Sequence, residues 1–153
     1  MWHLLSLPGR KRNCCANLAI VGIHREGGFA EYVRAAAKNL NLVPDVLDDF
    51  TVAFGEPVAI GVQGCRRGMV TVEDSMLVLG VGPIGLAVVE VARAIGAKVY
   101  ATDLSTERLG IAAQPGAIPL AGGKRLLARV LDLTGGEATP VVMEATGASS
   151  AME

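Results

Sequence analysis

This 153-residue chain is short of aromatics, of cysteines and of any excess of charge, and each shortage excludes something. Aromatic residues make up 4% of it, and its three cysteines include one adjacent pair. Three cysteines so placed do not form a disulfide framework, so a stapled secreted scaffold is not expected. Charges nearly cancel, at a net −1. The triplet Arg10-Lys11-Arg12 is too small for a nucleic-acid footprint and reads as a solvated loop, so no nucleic-acid partner is expected. Charged and turn residues interrupt every apolar stretch before it reaches membrane-spanning length. Leu4, Leu5 and Leu7 have no basic leader before them, unlike a signal peptide. No membrane partner is expected, and the default is a cytoplasmic protein.

What is present points to one fold class. Hydrophobic residues are 51% of the chain, with 19 glycines. Ala, Val, Leu and Gly dominate, which suits α/β layers with buried parallel strands. The chain divides near residue 70. Before that point, Phe29 to Val33 alternates like a strand, and Asn39 to Val43 reads as another, ended by Pro44. Pro57 to Arg67 reads as a helix with Val58, Gly61, Val62 and Cys65 on one face. Beyond it, the pattern predicts strands at 76–80, 98–102, 117–120 and 141–145. Helical patterns at 88–95, 106–113 and 124–133 separate them. In a doubly wound sheet of order 3-2-1-4-5-6 these are the first four strands. Val141 and Val142 would then lie on an exposed apolar edge, and the chain is expected to stop inside a domain.

The first of these strands runs into a glycine fingerprint. Residues 76–86 hold Gly-x-Gly-x-x-Gly at Gly80, Gly82 and Gly85, with Pro83 and Ile84 inside it. The first glycine allows a tight turn, the second lets backbone approach a pyrophosphate, and the third lets helix pack close to strand. The helix N-terminus that follows suits negative charge. Asp103 closes the second predicted strand, where its carboxylate can accept hydrogen bonds from both adenine-ribose hydroxyls and repel a 2′-phosphate. That favours NAD over NADP. Arg108 falls within reach of the adenosine side. The same residues also suit an ordinary βαβ unit with a glycine turn and a solvated Asp103.

Several stretches together resemble the zinc-containing medium-chain dehydrogenases, in their sorbitol, polyol and sugar-acid branch. They are residues 9–18 (GRKRNCCANL), 22–33 (GIHREGGFAEYV), 56–62 (EPVAIGV), 65–71 (CRRGMVT), the fingerprint, and 102–109 (TDLSTERL). The resemblance covers nearly everything from residue 9 onward. It implies that residues 1–70 are the end of a β-rich, GroES-like catalytic domain and residues 71–153 an incomplete Rossmann NAD-binding domain. The implied activity is zinc-assisted hydride transfer between NAD and a polyol, sugar acid or secondary alcohol, by a homo-oligomer. Ile84, Asp103 and Arg108 join the glycines as implied cofactor contacts. Glu56 matches a glutamate near the catalytic zinc; taken alone, an acid before Pro57 also suits a helix cap. His24 and Cys65 read as structural.

Cys15 matches the last of four cysteines that hold a structural zinc in that family, spaced Cys-x2-Cys-x2-Cys-x7-Cys. Met1, Leu4 and Leu7 stand at the other three positions, and one thiolate does not hold a tetrahedral zinc. Met1-Trp2-His3 read one base later encodes Cys-Gly, and Leu4 and Leu7 yield cysteines in that frame if their codons end in G. One insertion or deletion between about residues 8 and 13 of the gene or its sequence is therefore expected. The family's catalytic zinc ligands belong to sequence before this lobe, and nothing here replaces them. The chain alone is expected to be inactive, as part of a dehydrogenase or as a non-catalytic nucleotide-binding module or decayed gene product.

Overall fold

A computed structural model of the protein describes residues 17–151. By their contacts these fall into two compact units, one ending at Pro44 and one beginning at Asp45. The sequence pattern divides the chain near residue 70, whereas by contact residues 45–70 belong with the second unit.

The described part of the first unit, residues 17–44, is almost free of regular structure. It holds an isolated bridge between Val21 and Arg25 and one 3-10 turn, Ala37–Asn39. The strands expected at 29–33 and 39–43 do not form, so the β-rich character expected of this segment is not found among its described residues. Alternation makes a face, but a strand also needs a neighbour to take its backbone N–H and C=O groups. No such neighbour lies beside either segment among residues 17–44, and Phe29, Tyr32 and Leu42 stand exposed.

The second unit is a four-stranded parallel sheet with helices on both faces. Its elements are α1 (Asp49–Arg67), β1 (Ser75–Leu79), α2 (Pro83–Ile95), β2 (Lys98–Asp103), α3 (Thr106–Ala113), β3 (Ile118–Ala121), α4 (Leu126–Leu133) and β4 (Val141–Glu144). The spatial order is β3-β2-β1-β4, as the doubly wound reading requires. All three pairings are parallel, with Val78 opposite both Ala101 and Met143.

Alternation along the strands sorts two cores. Met76, Val78, Val99 and Ala101 point to one face, where they meet Val88, Val89 and Ala92 of α2, Leu109 and Ala112 of α3, and Cys65 of α1. Leu77, Tyr100 and Leu120 point to the other, against Val130 of α4. The Tyr100 hydroxyl donates to the Leu133 carbonyl, which satisfies the polar end of this buried ring. On β4, Val142 remains 55% exposed, as expected of an edge position.

Helix α1 corrects the sequence reading most. It begins eight residues before Pro57, at Asp49, and Asp48 caps it by accepting the Thr51 N–H at 2.7 Å. Gly55 and Pro57 carry low helix propensity, yet the helix runs through both, with residues 49–56 exposed. The helix lies against α2, and Gly61 marks the closest approach. A Cβ on Gly61 would come within 2.7 Å of the Ala87 carbonyl oxygen, whereas one on Gly55 would meet nothing within 4 Å. Gly61→Ala is therefore expected to lower stability by about 1–3 kcal/mol through overpacking. Gly55→Ala should raise it by up to about 1 kcal/mol from helix propensity alone. Paired denaturant titrations check both, and equal effects would contradict the close packing of α1 on α2.

Candidate functional site

The candidate site lies at the carboxyl ends of β1 and β2, where open α/β sheets bind ligands. After Leu79 the chain turns at Gly80, with φ +85°, a conformation that L side chains rarely adopt. The Gly80 N–H donates to the Thr102 carbonyl at 2.8 Å, so the turn is tied to β2 where it begins. Helix α2 opens with Gly82 as N-cap and Pro83 in the first turn. Proline suits that position because it lacks an N–H, one of the donors a helix start leaves without an acceptor. The amides of Ile84 and Gly85 lie in the same turn, without intrahelical acceptors.

The three glycines do different work. A Cβ on Gly85 would overlap the Gly80 carbonyl oxygen, so helix and strand meet at that point. A Cβ on Gly80 would sit 2.6 Å from Thr146 Cγ2 and 3.0 Å from the Thr146 backbone. Gly82 has nothing within 4 Å of such an atom, and its φ of −67° is open to any residue. Packing therefore demands glycine at 80 and 85. At 82 it leaves clear space in front of the helix start.

Asp103 joins three elements. One carboxylate oxygen accepts the Val81 N–H at 2.9 Å, and the other accepts the Ser105 N–H at 2.9 Å. Arg108 Nη1 stands 3.9 Å from the first oxygen, on a helix whose N-cap, Ser105, accepts the Arg108 N–H. Burial pushes the carboxyl pKa up. The N–H groups of Ser105 and Val81, the Arg108 charge and the Leu104 N–H together outweigh it and hold the pKa below the ordinary aspartate value. Asp103 thus stays ionised at neutral pH beside the glycine turn.

The other sequence candidates lie elsewhere. Glu56 is exposed in the middle of α1, so it caps no helix. It borders an open groove of about 450 Å³ with Ala59, Ile60, Gln63, Gly64 and Arg67. Among the described residues no hydrogen bond or ion pair joins Glu56 to the glycine turn. Cys15, together with Met1, Leu4 and Leu7, lies outside the described residues, as does the Arg10-Lys11-Arg12 triplet. His24 Nδ1 accepts the Ile20 N–H at 3.1 Å, and Cys65 is buried in the core. Among the described residues, no three His, Cys, Asp or Glu side chains are grouped to hold a metal ion. No helix among them is long and apolar enough to cross a membrane.

At the exit of β4, sequence reading did not single out Glu144, the acid that organises Thr146 and Gly147. Glu144 Oε1 accepts the Thr146 N–H at 2.6 Å, the Gly147 N–H at 3.0 Å and the Thr146 hydroxyl. The signal was an acid two residues before a threonine and three before a glycine, at a β-strand exit.

Comparison with known proteins bears on these residues. A family model described as zinc-binding dehydrogenase matches residues 83–153. L-galactonate-5-dehydrogenase of Escherichia coli K12 is 34% identical over 144 residues, covering 93% of this chain and 42% of the relative. An alcohol dehydrogenase from E. coli CFT073, solved with the cofactor NADH, superposes with a TM-score of 0.81 at 32% identity, over 89% of this chain and 41% of that one. The 2R,3R-butanediol dehydrogenase of Bacillus subtilis gives a TM-score of 0.81 at 34% identity, over 90% and 41%. The chain spans about two fifths of the length of each of these three proteins.

Proposed function

Because the chain belongs to the zinc-binding dehydrogenases, we propose that it carries the NAD-binding part of an enzyme that oxidises a polyol, sugar acid or secondary alcohol. On this reading residues 71–153 are the start of the nucleotide-binding domain and residues 1–70 the end of a GroES-like catalytic domain. The protein is cytoplasmic, and the free buried thiol of Cys65 suits a reducing compartment. The names of the relatives, with galactonate and butanediol among their substrates, support a hydroxyl-bearing small molecule as the substrate class.

The observation that carries the reading is Asp103. Its carboxylate is fixed by Val81 and Ser105 at the mouth of the glycine turn. There it would meet the adenosine ribose and oppose a 2′-phosphate. Gly82 keeps the approach to the helix start open. Gly80, Gly82, Pro83, Ile84 and Gly85 would hold the pyrophosphate against that start, and Arg108 would flank the adenosine. The bound dinucleotide supplies the hydride acceptor; this chain's residues bind and orient it. Glu56 is proposed to face the substrate in the whole enzyme. The described residues do not fit a zinc centre, so no step is assigned to a metal here.

For the 153 residues by themselves, the expected result is binding without turnover. NADH fluorescence titration should show saturable binding, tighter than NADPH by about tenfold or more. Equal affinity for the two would count against Asp103. Incubation with NAD, Zn²⁺ and a panel of polyols should give no reduction above background. Turnover would overturn the assignment of catalysis to residues outside this chain. The absence of a metal-ligating group among the described residues favours a second reading for the isolated chain, a nucleotide-binding module.

A further inference from the structure

The glycine turn is walled on one side by the exit of β4, and the atoms of that wall point to a role for Glu144. The Ala145 N–H donates to the Leu79 carbonyl at 2.8 Å, extending the β1–β4 pairing to the start of the turn. Thr146 then lies against Gly80 so closely that no side chain fits there, and Ala145 Cβ stands 3.6 Å from where a Cβ on Gly85 would be. Thr146 has no helix or strand to hold it. What holds it is the Glu144 carboxylate, through the Thr146 N–H and hydroxyl and the Gly147 N–H. The Thr146 hydroxyl oxygen in turn accepts the Ala148 N–H at 2.9 Å.

We infer that Glu144 is a positioning residue for the cofactor turn: its carboxylate fixes Thr146, and Thr146 fixes Gly80 and the backbone that follows. Among the described residues no hydrogen bond joins Glu144 to Gly80, and Glu144 acts on it only through Thr146, two residues on. Three donors converge on a single oxygen, and hydrogen bonds to a charged acceptor exceed neutral ones in strength. They hold the Glu144 carboxyl pKa below the ordinary glutamate value, with the Thr146 hydroxyl the largest contributor. A turn so held presents its amides in one arrangement before any ligand arrives, which lowers the ordering cost of binding.

The inference rests on the NAD-binding reading for its consequence but not for its first test. In the full chain without cofactor, Glu144→Ala is expected to move the backbone amide resonances of Gly80 to Gly85 as well as those of Thr146 and Gly147. The distant amides of Ala112 and Val130 should stay in place. Glu144→Gln keeps an acceptor oxygen and is expected to restore most of the wild-type positions. NADH affinity should fall about tenfold in Glu144→Ala and less in Glu144→Gln. Unmoved Gly80–Gly85 amides in Glu144→Ala would overturn the inference, and a Gln variant as perturbed as the Ala variant would overturn the assignment to the acceptor oxygen.

Should Glu144→Ala fail to fold, Thr146→Ser keeps the hydroxyl held by Glu144 and loses only the methyl that abuts Gly80. It should move the Gly80 amide while leaving that of Gly147, and an unmoved Gly80 amide would sink the inference. If the amide shifts appear but wild-type chain does not bind NADH, the positioning role stands and the NAD-binding reading falls.

Discussion

Gly85→Ala is expected to cost about 3 kcal/mol of stability, at the upper end of what overpacking does, although alanine is the best helix former. Propensity favours the change by about 1 kcal/mol, but packing opposes it. The new methyl would overlap the Gly80 carbonyl oxygen, and Gly80 cannot retreat because Thr146 closes its other side. Gly82→Ala is the matched control. Its methyl would meet nothing within 4 Å, so stability should stay within about 0.5 kcal/mol. NADH affinity should nevertheless fall about tenfold or more, because the methyl occupies the space where phosphate oxygens would approach the backbone. Denaturation midpoints with unchanged m values and NADH titrations separate the two effects. A Gly82→Ala protein that binds NADH normally would contradict the phosphate reading of this turn.

Asp103→Asn should have the largest effect on cofactor choice. The carboxylate now accepts one N–H on each oxygen; an asparagine amide would have to turn its NH₂ toward one of those two donors. NADH affinity should fall about tenfold, and the preference over NADPH should disappear, since the charge that repels a 2′-phosphate is gone and Arg108 is released to receive it. The sign of the pH dependence follows from the lowered pKa of Asp103. A carboxyl depressed by folding contributes fully above its unfolded pKa, and the contribution is lost as pH falls through the folded value. Wild-type preference should therefore hold across neutral pH and decline only in the acid range below the ordinary aspartate pKa. Competition titrations of NADH and NADPH across pH test this, and a preference unchanged in Asp103→Asn would remove Asp103 from the site.

The Rossmann part of the fold was legible because its signals are local and redundant. Apolar runs of strand length, helical periodicity and glycine stops coincide, and they put all four strands within one residue of their observed ends with the observed order. Helix α1 was half missed for an equally local reason. Gly55 and Pro57 carry unfavourable helix propensities, which hide a helix that starts at Asp49 and meets α2 further on, at Gly61. Residues 29–33 and 39–43 failed in the opposite direction, since alternation is not pairing.

Gly80, Gly82, Gly85, Asp103 and Arg108 are named by residue type and spacing, because backbone conformation and carboxylate chemistry are properties of single residues in a short segment. Only the folded arrangement shows that, of the three fingerprint glycines, Gly82 alone has open space, and that Asp103 ties the turn to α3. It alone brings Glu144 to govern Gly80, sixty-four positions away in sequence. These depend on which atoms the parallel β1–β4 pairing brings within a few ångströms. Spacing along the chain cannot carry that distance, because the pairing is made across the sheet.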